Sequence, residues 1–377
     1  MDFYKCGVKE IFVDAKLSAN QGTNISGITL ASGLVLVLSI AAWTLDLWGS
    51  RNPWQGMSLT LPLLVGAVGS AAIGFVVIPV LQALKTGQII REDGPQAHLK
   101  KAGTPTMGGI FFVPVAVAIA CIFSHFATDV LAVSALTLSY GFIGWLDDWQ
   151  ILRRKSNKGI SPKMKLMLQI AFACLFCLWL MFHQGSEITS IALPGLSLAI
   201  PLGFLFWPVA GFVLVAESNA TNLTDGIDGL AGGTVAIALL ALAAIIAPAH
   251  PGLMVFCAAL SGGCLGFLAH NRNPARVFMG DTGSLALGGA LAAVALISNT
   301  LVALFILSGI FFVETLSVIA QVTYYKATKG ADGKGKRLFK MAPLHHHLEL
   351  TGWSELQVVS VFYIIAAILA VICLAIA

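Results

Sequence analysis

The chain has 377 residues, of which 57% are hydrophobic and only 11% are charged, and its mean hydropathy is +0.87. A soluble fold could not cover so much apolar surface with so few polar residues, so the composition indicates a protein that lies in a lipid bilayer. The formal net charge of +4 does not indicate a nucleic-acid-binding protein, because the sequence has no extended basic, polar surface.

Eleven apolar stretches have close to the ~20 residues that a helix needs to cross the hydrocarbon core of a bilayer. In chain order they cover residues 28–43, 61–84, 110–127, 130–146, 166–182, 202–216, 230–247, 253–269, 285–298, 301–324 and 358–377. The pattern predicts an all-α, polytopic integral membrane protein with about 10–11 transmembrane helices. No long linker or internal repeat divides the chain, so we expect residues 1–377 to form a single domain.

The positions of lysine and arginine predict the orientation, since positively charged loops stay on the cytoplasmic side. If the N-terminus is inside, eleven spans place all of the 22 Lys and Arg residues on the cytoplasmic side except Arg51. The stretch before the first span is largely polar, so no signal peptide is evident and this span should be retained.

Nearly all of the charge, and nearly all of the residues capable of chemistry, lie in five polar segments between the spans. These segments are residues 85–105, 147–165, 217–228, 271–281 and 326–349. The alternation of eleven spans places all five at the same membrane face, which the charge rule makes the cytoplasmic one. This distribution is typical of a membrane enzyme with its active site on the cytoplasmic face.

The first polar segment combines turn residues, hydroxyl groups and cations, among them Lys100, Thr104 and Thr106. Backbone N–H groups, threonine side chains and a lysine charge together can bind a phosphate group. A cytoplasmic loop that only obeys the charge rule accounts for the same residues equally well.

Two adjacent carboxylates, Asp147 and Asp148, follow the span 130–146, and cations that include Lys163 come after them. Such a pair suits a divalent metal ion or a base that acts on a phosphate. A helix end capped by charge at the membrane interface is an equally good interpretation of this segment alone.

The third segment spaces Asn219, Asn222 and Asp225 three residues apart, which on a helical turn puts them on one side. Gly226 lets a ligand approach the backbone closely, and Asp228 adds a second carboxylate. A turn between helices would explain the glycine and one polar residue. It would not explain two amides and two carboxylates beside a membrane, so we predict a binding site.

The fourth segment, which begins at Asn271, reads as an irregular loop that enters a helix at Asp281. Asp281 precedes Thr-Gly-Ser and could therefore cap the helix or bind a hard cation. Both interpretations stay open on this segment alone.

The last segment contains three successive histidines, His345, His346 and His347, after a basic run. Side chains at successive positions of a helix point in different directions, so they need not be ligands of one metal ion. At least one could donate a hydrogen bond to a phosphate oxygen or carry a proton. A zinc site is the alternative, although no cysteine lies in any of the five segments.

Taken in order, the motifs resemble those of the phospho-N-acetylmuramoyl-pentapeptide transferases, a family of bacterial translocases within the polyprenyl-phosphate N-acetylhexosamine-1-phosphate transferase superfamily. The motifs are GTPTMGG at 103–109, LDD at 146–148, NLTDGIDGL at 222–230, FMGDTGSL at 278–285 and PLHHHLE at 343–349. The resemblance assigns residues 58–377 to the family core. Residues 1–57 are then an N-terminal extension with an extra transmembrane helix, since the family usually has ten spans.

The resemblance implies transfer of phospho-N-acetylmuramoyl-pentapeptide from UDP-MurNAc-pentapeptide to undecaprenyl phosphate, which gives lipid I and UMP for peptidoglycan synthesis. It also implies Mg²⁺ as the cofactor, a bacterial plasma (inner) membrane location and no nucleic-acid partner, and it allows a homodimer. Whether the reaction has one step or passes through a covalent intermediate stays open.

The resemblance also implies roles for individual residues. The catalytic positions are Asp147, Asp148, Asp281, His345, His346 and His347, with Asp281 as the magnesium ligand. The substrate-binding positions are Lys100, Thr104, Thr106, Lys163, Asn219, Asn222, Asp225, Gly226, Asp228, Asn271 and Phe278. Within these sets, the lysines would neutralise phosphate, Phe278 would stack on uracil, and the histidines would contact the pyrophosphate or the peptide-sugar portion.

Two other functions remain as alternatives. The nearer one is transfer of N-acetylglucosamine 1-phosphate from its UDP carrier to a polyprenyl phosphate, by a sibling enzyme of the same superfamily. The second is ion-coupled transport, because Glu314 lies inside the apolar stretch 301–324 and an intramembrane carboxylate is often functional. A transporter should place its site near the middle of the membrane, whereas the motifs here gather at one face, which favours the enzyme.

Overall fold

The computed structural model describes residues 26–84, 103–154, 159–193, 195, 198–331 and 333–377. The helices in these ranges are α1 (Gly27–Trp48), α2 (Thr60–Ala83), α3 (Gly109–Phe123), α4 (Thr128–Arg154), α5 (Pro162–His183), α6 (Phe206–Thr224), α7 (Leu230–Ile246), α8 (Pro251–Asn271), α9 (Gly280–Ile297), α10 (Leu301–Leu307), α11 (Gly309–Ala327), α12 (Leu344–Leu350) and α13 (Glu355–Ile376).

Within the described ranges, eight helices are long and apolar enough to cross a membrane, and the bent pair of α10 and α11 can form a ninth span. Helices α3 and α7 are also apolar but have only 15 and 17 residues. Each of the eleven predicted apolar stretches therefore corresponds to one helix or one bent pair. The prediction of an all-α, polytopic membrane protein is confirmed, although two helices are shorter than the ~20 residues of a typical span.

Helices α8 and α9 form the centre of the bundle, and 89% of the residues in the apolar stretch of each are buried. Glycines on α8 allow this packing, because a Cβ atom at Gly262 or Gly266 would overlap the backbone of α2. Small residues at such contacts let helices approach closely in lipid, where no hydrophobic effect drives helices together. In the apolar stretches of α1 and α2, by contrast, only 17% and 28% of the residues are buried.

The stretch 301–324, predicted as one span, is two helices that meet at a bend of 70°. The bend lies at Ser308 and Gly309, a residue pair that commonly allows a helix to kink. The hydroxyl of Ser308 donates a hydrogen bond to Oε1 of Glu217 at 2.6 Å, which ties the bend to α6. The sequence did not reveal this bend because the stretch is continuously apolar on both sides of it.

A two-stranded antiparallel hairpin, β1 (Ser190–Leu193) and β2 (Leu198–Pro201), connects α5 to α6 and was not predicted. It lies at the end of the bundle where α5 finishes and α6 begins. The backbone N–H of Ala192 donates to the side chain of Asn299, in the turn after α9. The hairpin is therefore at the opposite end from the polar segments that start α5 and α9.

The predicted extra helix is α1, and a buried carboxylate joins it to α2. Asp46 is fully buried and accepts hydrogen bonds from the backbone N–H groups of Leu59 and Thr60 and from the Thr60 hydroxyl. Its Oδ1 also pairs with Nε of Arg51 at 2.9 Å. Asp46 thus satisfies amide groups at the start of α2 that have no partner within that helix.

We expect Asp46→Ala to lower the stability of the folded chain by ~1–3 kcal/mol, because buried N–H donors would lose their acceptor. The measurement is the thermal unfolding midpoint in detergent. Asp129→Ala is the matched control, since Asp129 is also a carboxylate near a helix end and accepts a hydrogen bond from the side chain of Gln184 at 3.2 Å. Equal shifts for the two variants would show that Asp46 has no special structural role.

Candidate active site

Four helices present polar side chains to one another at one end of the bundle. Asp147 and Asp148 lie near the end of α4, Lys165 in the first turns of α5, Asn222 in the last turn of α6, and Asp281 in the first turn of α9. All four elements belong to the polar segments that the sequence analysis placed at one membrane face. The predicted convergence of the second, third and fourth segments is therefore seen in the structure.

A close contact between α4 and the start of α9 creates this arrangement. A Cβ atom at Gly144 would overlap the backbone of Asp281 and Thr282, so only glycine lets α4 pack this closely. Asp147 and Asp148 follow within one turn of Gly144, and the contact brings both carboxylates beside Asp281.

The Asp281 carboxylate lies at the centre of the polar cluster. Its Oδ1 accepts a hydrogen bond from the side-chain amide of Asn222 at 2.7 Å. Its Oδ2 forms an ion pair with Nζ of Lys165, and the carboxylate of Asp147 lies beside it. Asp281 is thus both hydrogen-bonded and within reach of a second carboxylate, an arrangement that suits a shared cation.

The two adjacent aspartates have different environments. Asp148 is buried, and it accepts hydrogen bonds from the backbone N–H of Asp281 and from the N–H and hydroxyl of Thr282, the last at 2.7 Å. Asp147 is half-buried and accepts a bond from the backbone N–H of Ile160 at 2.8 Å. Asp148 therefore caps α9 and orients Asp281, while Asp147 is the more accessible carboxylate.

Negative charge is in excess at this end of the bundle. Desolvation, together with the negative charges of Asp281, Asp148 and Asp228, raises the pKa of Asp225 to about 8. Burial and nearby negative charge both disfavour the ionised form of a carboxyl group. Among the described residues of the cluster, carboxylates outnumber the one lysine, Lys165, and such an arrangement would favour binding of a cation.

The residues present fit a magnesium ion better than a zinc ion. Among the residues that the structure describes, no three His, Cys, Asp or Glu side chains are grouped as a set of metal ligands. Mg²⁺ does not need such a set, because it usually takes one or two protein carboxylates and completes its shell with water and substrate phosphates. Asp281 meets that requirement with a single carboxylate.

Asn271 and Asp228 fix the loop between α8 and α9. Asn271 accepts a hydrogen bond from the backbone N–H of Gly229 and donates one to the carbonyl of Val277, each at 2.9 Å. Oδ2 of Asp228 accepts from the backbone N–H of Ala275 at 3.0 Å. Both residues hold backbone groups of this loop and of the turn before α7, and their predicted contacts with substrate stay predictions.

Phe278 lies at the end of the same loop, and both its backbone N–H and its backbone carbonyl form hydrogen bonds. Its N–H donates to the carbonyl of Pro105, and its carbonyl accepts from the N–H of Gly108, both at 2.8 Å. Its ring is half-buried, so one part of it remains available for stacking. Among the predicted phosphate-binding threonines, Thr106 is buried beside Gly280, whereas Thr104 is half-buried.

Lys165, and not Lys163, is the lysine that contacts the carboxylate cluster. Lys163 is exposed, and Lys100 lies outside the described residues. Residues two positions apart on a helix face different sides, so only one of the two lysines in α5 can point at α9. The sequence shows both cations but contains no signal for which of them faces the site.

Asn219 does not reach Asp281, although it lies one turn before Asn222. Its side-chain amide donates to Oε1 of Gln169 at 3.0 Å and to the carbonyl of Val215 at 2.8 Å. Asn219 instead lies at the polar end of an apolar groove of about 810 Å³ between α5 and α6. Other lining residues include Leu166, Ile170, Leu178, Phe204 and Trp207.

The three histidines have three different partners. His345 is fully buried and bonds Glu314, and Nδ1 of His346 lies 2.9 Å from Oε2 of Glu349. Nδ1 of His347 accepts a hydrogen bond from the backbone N–H of Lys340 at 3.1 Å. Their predicted contacts with substrate stay predictions.

Comparison with known proteins identifies the family. A model described as glycosyl transferase family 4 matches residues 130–299, and a phospho-N-acetylmuramoyl-pentapeptide-transferase signature matches residues 101–113. The phospho-N-acetylmuramoyl-pentapeptide-transferase of Nostoc punctiforme is 82% identical over 363 residues, which cover 96% of this chain and 100% of that one. The chain belongs to the phospho-N-acetylmuramoyl-pentapeptide-transferase family. The resemblance found in the motifs is thereby confirmed.

Other phospho-N-acetylmuramoyl-pentapeptide transferases match over a similar length. That of Trichormus variabilis is 82% identical over 97% of this chain and 100% of its own length, and that of Gloeothece citriformis is 64% identical over 96% and 98%. The match to the Trichormus variabilis protein covers 97% of this chain, so the residues that it leaves out are fewer than the 22 residues of α1. The match therefore extends into the extra N-terminal helix.

Proposed function

We propose that the chain transfers phospho-N-acetylmuramoyl-pentapeptide from UDP-MurNAc-pentapeptide to undecaprenyl phosphate, giving lipid I and UMP. The observation that carries this proposal is the cluster of Asp147, Asp148, Asp281 and Lys165 at one end of the bundle, in a chain that is 82% identical to transferases of that name. The excess of positive residues in the polar segments supports a site on the cytoplasmic face of the bacterial plasma membrane.

Both reactants carry phosphate charge and repel each other, so the site must neutralise charge and align them. Lys165 supplies one positive charge beside Asp281. A magnesium ion held by Asp281 would neutralise charge on the diphosphate. Asp148 keeps the first turn of α9 in place, and so keeps the Asp281 carboxylate directed at the cluster.

The attacking group is the phosphate of the lipid. Its second pKa is near ~6, so this phosphate is largely ionised at neutral pH and needs positioning more than it needs a strong base. We propose that its oxygen attacks the sugar-linked phosphorus directly, that the bond from this phosphorus to the UMP oxygen breaks, and that UMP leaves. Asp147 orients the lipid phosphate and accepts its remaining proton when one is present.

The apolar groove between α5 and α6 supports a long lipid substrate. It is lined almost entirely by apolar side chains, and its polar end at Asn219 is one helical turn from Asn222 in the cluster. A polyprenyl chain in this groove would place its phosphate near Asp147 and Lys165. Several of its lining side chains, among them Leu178, Phe204 and Phe212, are exposed on the apolar surface of the bundle, so a lipid would reach the groove from within the bilayer.

The test is an assay of purified protein in detergent with undecaprenyl phosphate and magnesium, supplied separately with UDP-MurNAc-pentapeptide and with UDP-N-acetylglucosamine. We expect UMP and a lipid product only with the first nucleotide. Turnover of UDP-N-acetylglucosamine alone would establish the sibling reaction, and no turnover of either would contradict the transferase proposal. The same preparation allows the proposed homodimer to be measured by its mass in solution.

We expect Phe278→Ala to raise the apparent KM for the UDP-substrate about tenfold, because stacking on an aromatic ring contributes ~1–3 kcal/mol per base. The KM for undecaprenyl phosphate should change much less. Phe278→Tyr is the matched control, since it keeps the ring and should keep the KM. An equal change in both KM values would argue against a nucleoside contact at Phe278.

A further inference from the structure

Glu314 and His345 form a pair that is fully buried between α11 and α12. Oε1 of Glu314 accepts a hydrogen bond from the backbone N–H of His345 at 3.2 Å. Oε2 lies 3.1 Å from Nδ1 of the same residue. One carboxylate therefore holds both the backbone and the ring of His345, which fixes the orientation of the imidazole.

The other ring nitrogen of His345 is directed at the turn that follows α6. Nε2 is buried and has no hydrogen-bond partner among the described residues. It faces Gly226, where a Cβ atom would overlap the imidazole ring. Gly226 follows Asp225, whose carboxyl group interacts with Asp281.

An unpaired buried nitrogen costs free energy, and it is expected to find a partner in a ligand or an ordered water. The nitrogen lies beside Gly226, one of the positions for which the family resemblance implies substrate binding. The Glu314 carboxylate contacts the opposite side of the ring, so it affects the hydrogen bond that Nε2 can make with that substrate.

We propose that Glu314 is a positioning residue that keeps a proton on Nδ1 of His345, so that any proton the ring gains or loses is carried by Nε2, facing the Gly226 turn. A carboxylate oxygen only accepts hydrogen bonds, so Nδ1 must donate to it. Nε2 is then the atom that exchanges a hydrogen bond with a polar group of the nucleotide-linked substrate. This inference rests on the proposed function for the identity of that substrate.

Glu314→Gln separates the proposed positioning of the His345 ring from simple packing. Glutamine keeps the shape of glutamate, but it has one acceptor oxygen and one NH₂ donor group in place of two acceptor oxygens. The backbone N–H of His345 cannot change from donor to acceptor, whereas the ring can exchange its tautomer. The glutamine carbonyl should therefore face the backbone N–H, and its NH₂ group should face Nδ1. In the neutral ring the proton would then move to Nε2.

The first measurement is ¹⁵N NMR of histidine-labelled protein, with His345→Asn used to assign the signal. In the parent chain the neutral ring of His345 should carry its proton on Nδ1, and in Glu314→Gln the neutral ring should lose the Nδ1 proton. A parent ring with a bare Nδ1, or no change in the variant, would overturn the proposal. This readout needs no turnover, so it stands apart from any failure of the transferase assay.

The second measurement is turnover. Loss of a partner that orients a metal-bound histidine typically costs about 10–100-fold, and by the same reasoning we expect a fall of about that size in kcat for Glu314→Gln. In a His345→Asn background the same change should have no further effect. Ser317→Ala is the matched control on α11, since the Ser317 hydroxyl bonds only the backbone carbonyl of Glu314. Additive losses in the double variant would overturn the proposal.

Discussion

Asp281→Asn is expected to abolish turnover while the chain stays folded. The amide keeps the size of the side chain and can still accept a hydrogen bond from Asn222, but it loses the charge that pairs with Lys165 and would bind a hard cation. A single group that stabilises developing charge contributes about 10²–10³ in kcat, and we expect the loss here to be at least that large.

The loss should be measured as UMP release over a range of magnesium concentrations. Asp129→Asn is the control, because Asp129 lies in the first turn of α4, at the other end of that helix from the site. The control should keep the activity of the parent chain. Near-normal turnover of Asp281→Asn at limiting magnesium would contradict its assignment as a metal ligand.

Asp147→Asn should lose most activity at about pH 6 and recover part of it by about pH 9. At the higher pH the lipid phosphate is fully ionised, since its second pKa is near ~6, and a base is no longer needed. If Asp147 were instead a covalent nucleophile, no pH would restore turnover, because an amide cannot form an acyl phosphate. The measurement is kcat against pH for both chains.

Asp148→Asn is the matched control, and we expect it to lose activity at every pH. Its NH₂ group would face the N–H groups that start α9 and displace Asp281, which a change of pH cannot repair. A single-turnover mixture of the parent chain with UDP-substrate and no polyprenyl phosphate gives an independent check. Stoichiometric UMP release with label retained on the protein would contradict direct attack.

Hydropathy and charge predicted much of this molecule. The apolar stretches correspond to helices because backbone groups in lipid must bond within their own segment, which leaves few alternatives to a helix. The meeting of Asp147 and Asp281 at one end of the bundle followed from the alternation of spans. Those properties depend on the period and order of residues along the chain, so one sequence is enough to reveal them.

Contacts between distant helices could not be predicted in the same way. Lys163 and Lys165 are equivalent in the sequence, and only the ion pair from Lys165 on α5 to Asp281 on α9 distinguishes them. The two aspartates likewise differ because Gly144 brings α4 against α9. Glu314 indicated an intramembrane functional group, but its partner His345 is 31 residues away along the chain.

The capping of α9 by Asp148 has a consequence for the order in which ligands arrive. The start of a helix ordinarily attracts anions through its free N–H groups and its dipole. Here an internal carboxylate already accepts hydrogen bonds from the N–H groups of Asp281 and Thr282. Among the described residues, an incoming diphosphate would therefore meet carboxylates and one lysine, and we expect it to enter most favourably as a complex with a divalent counter-ion.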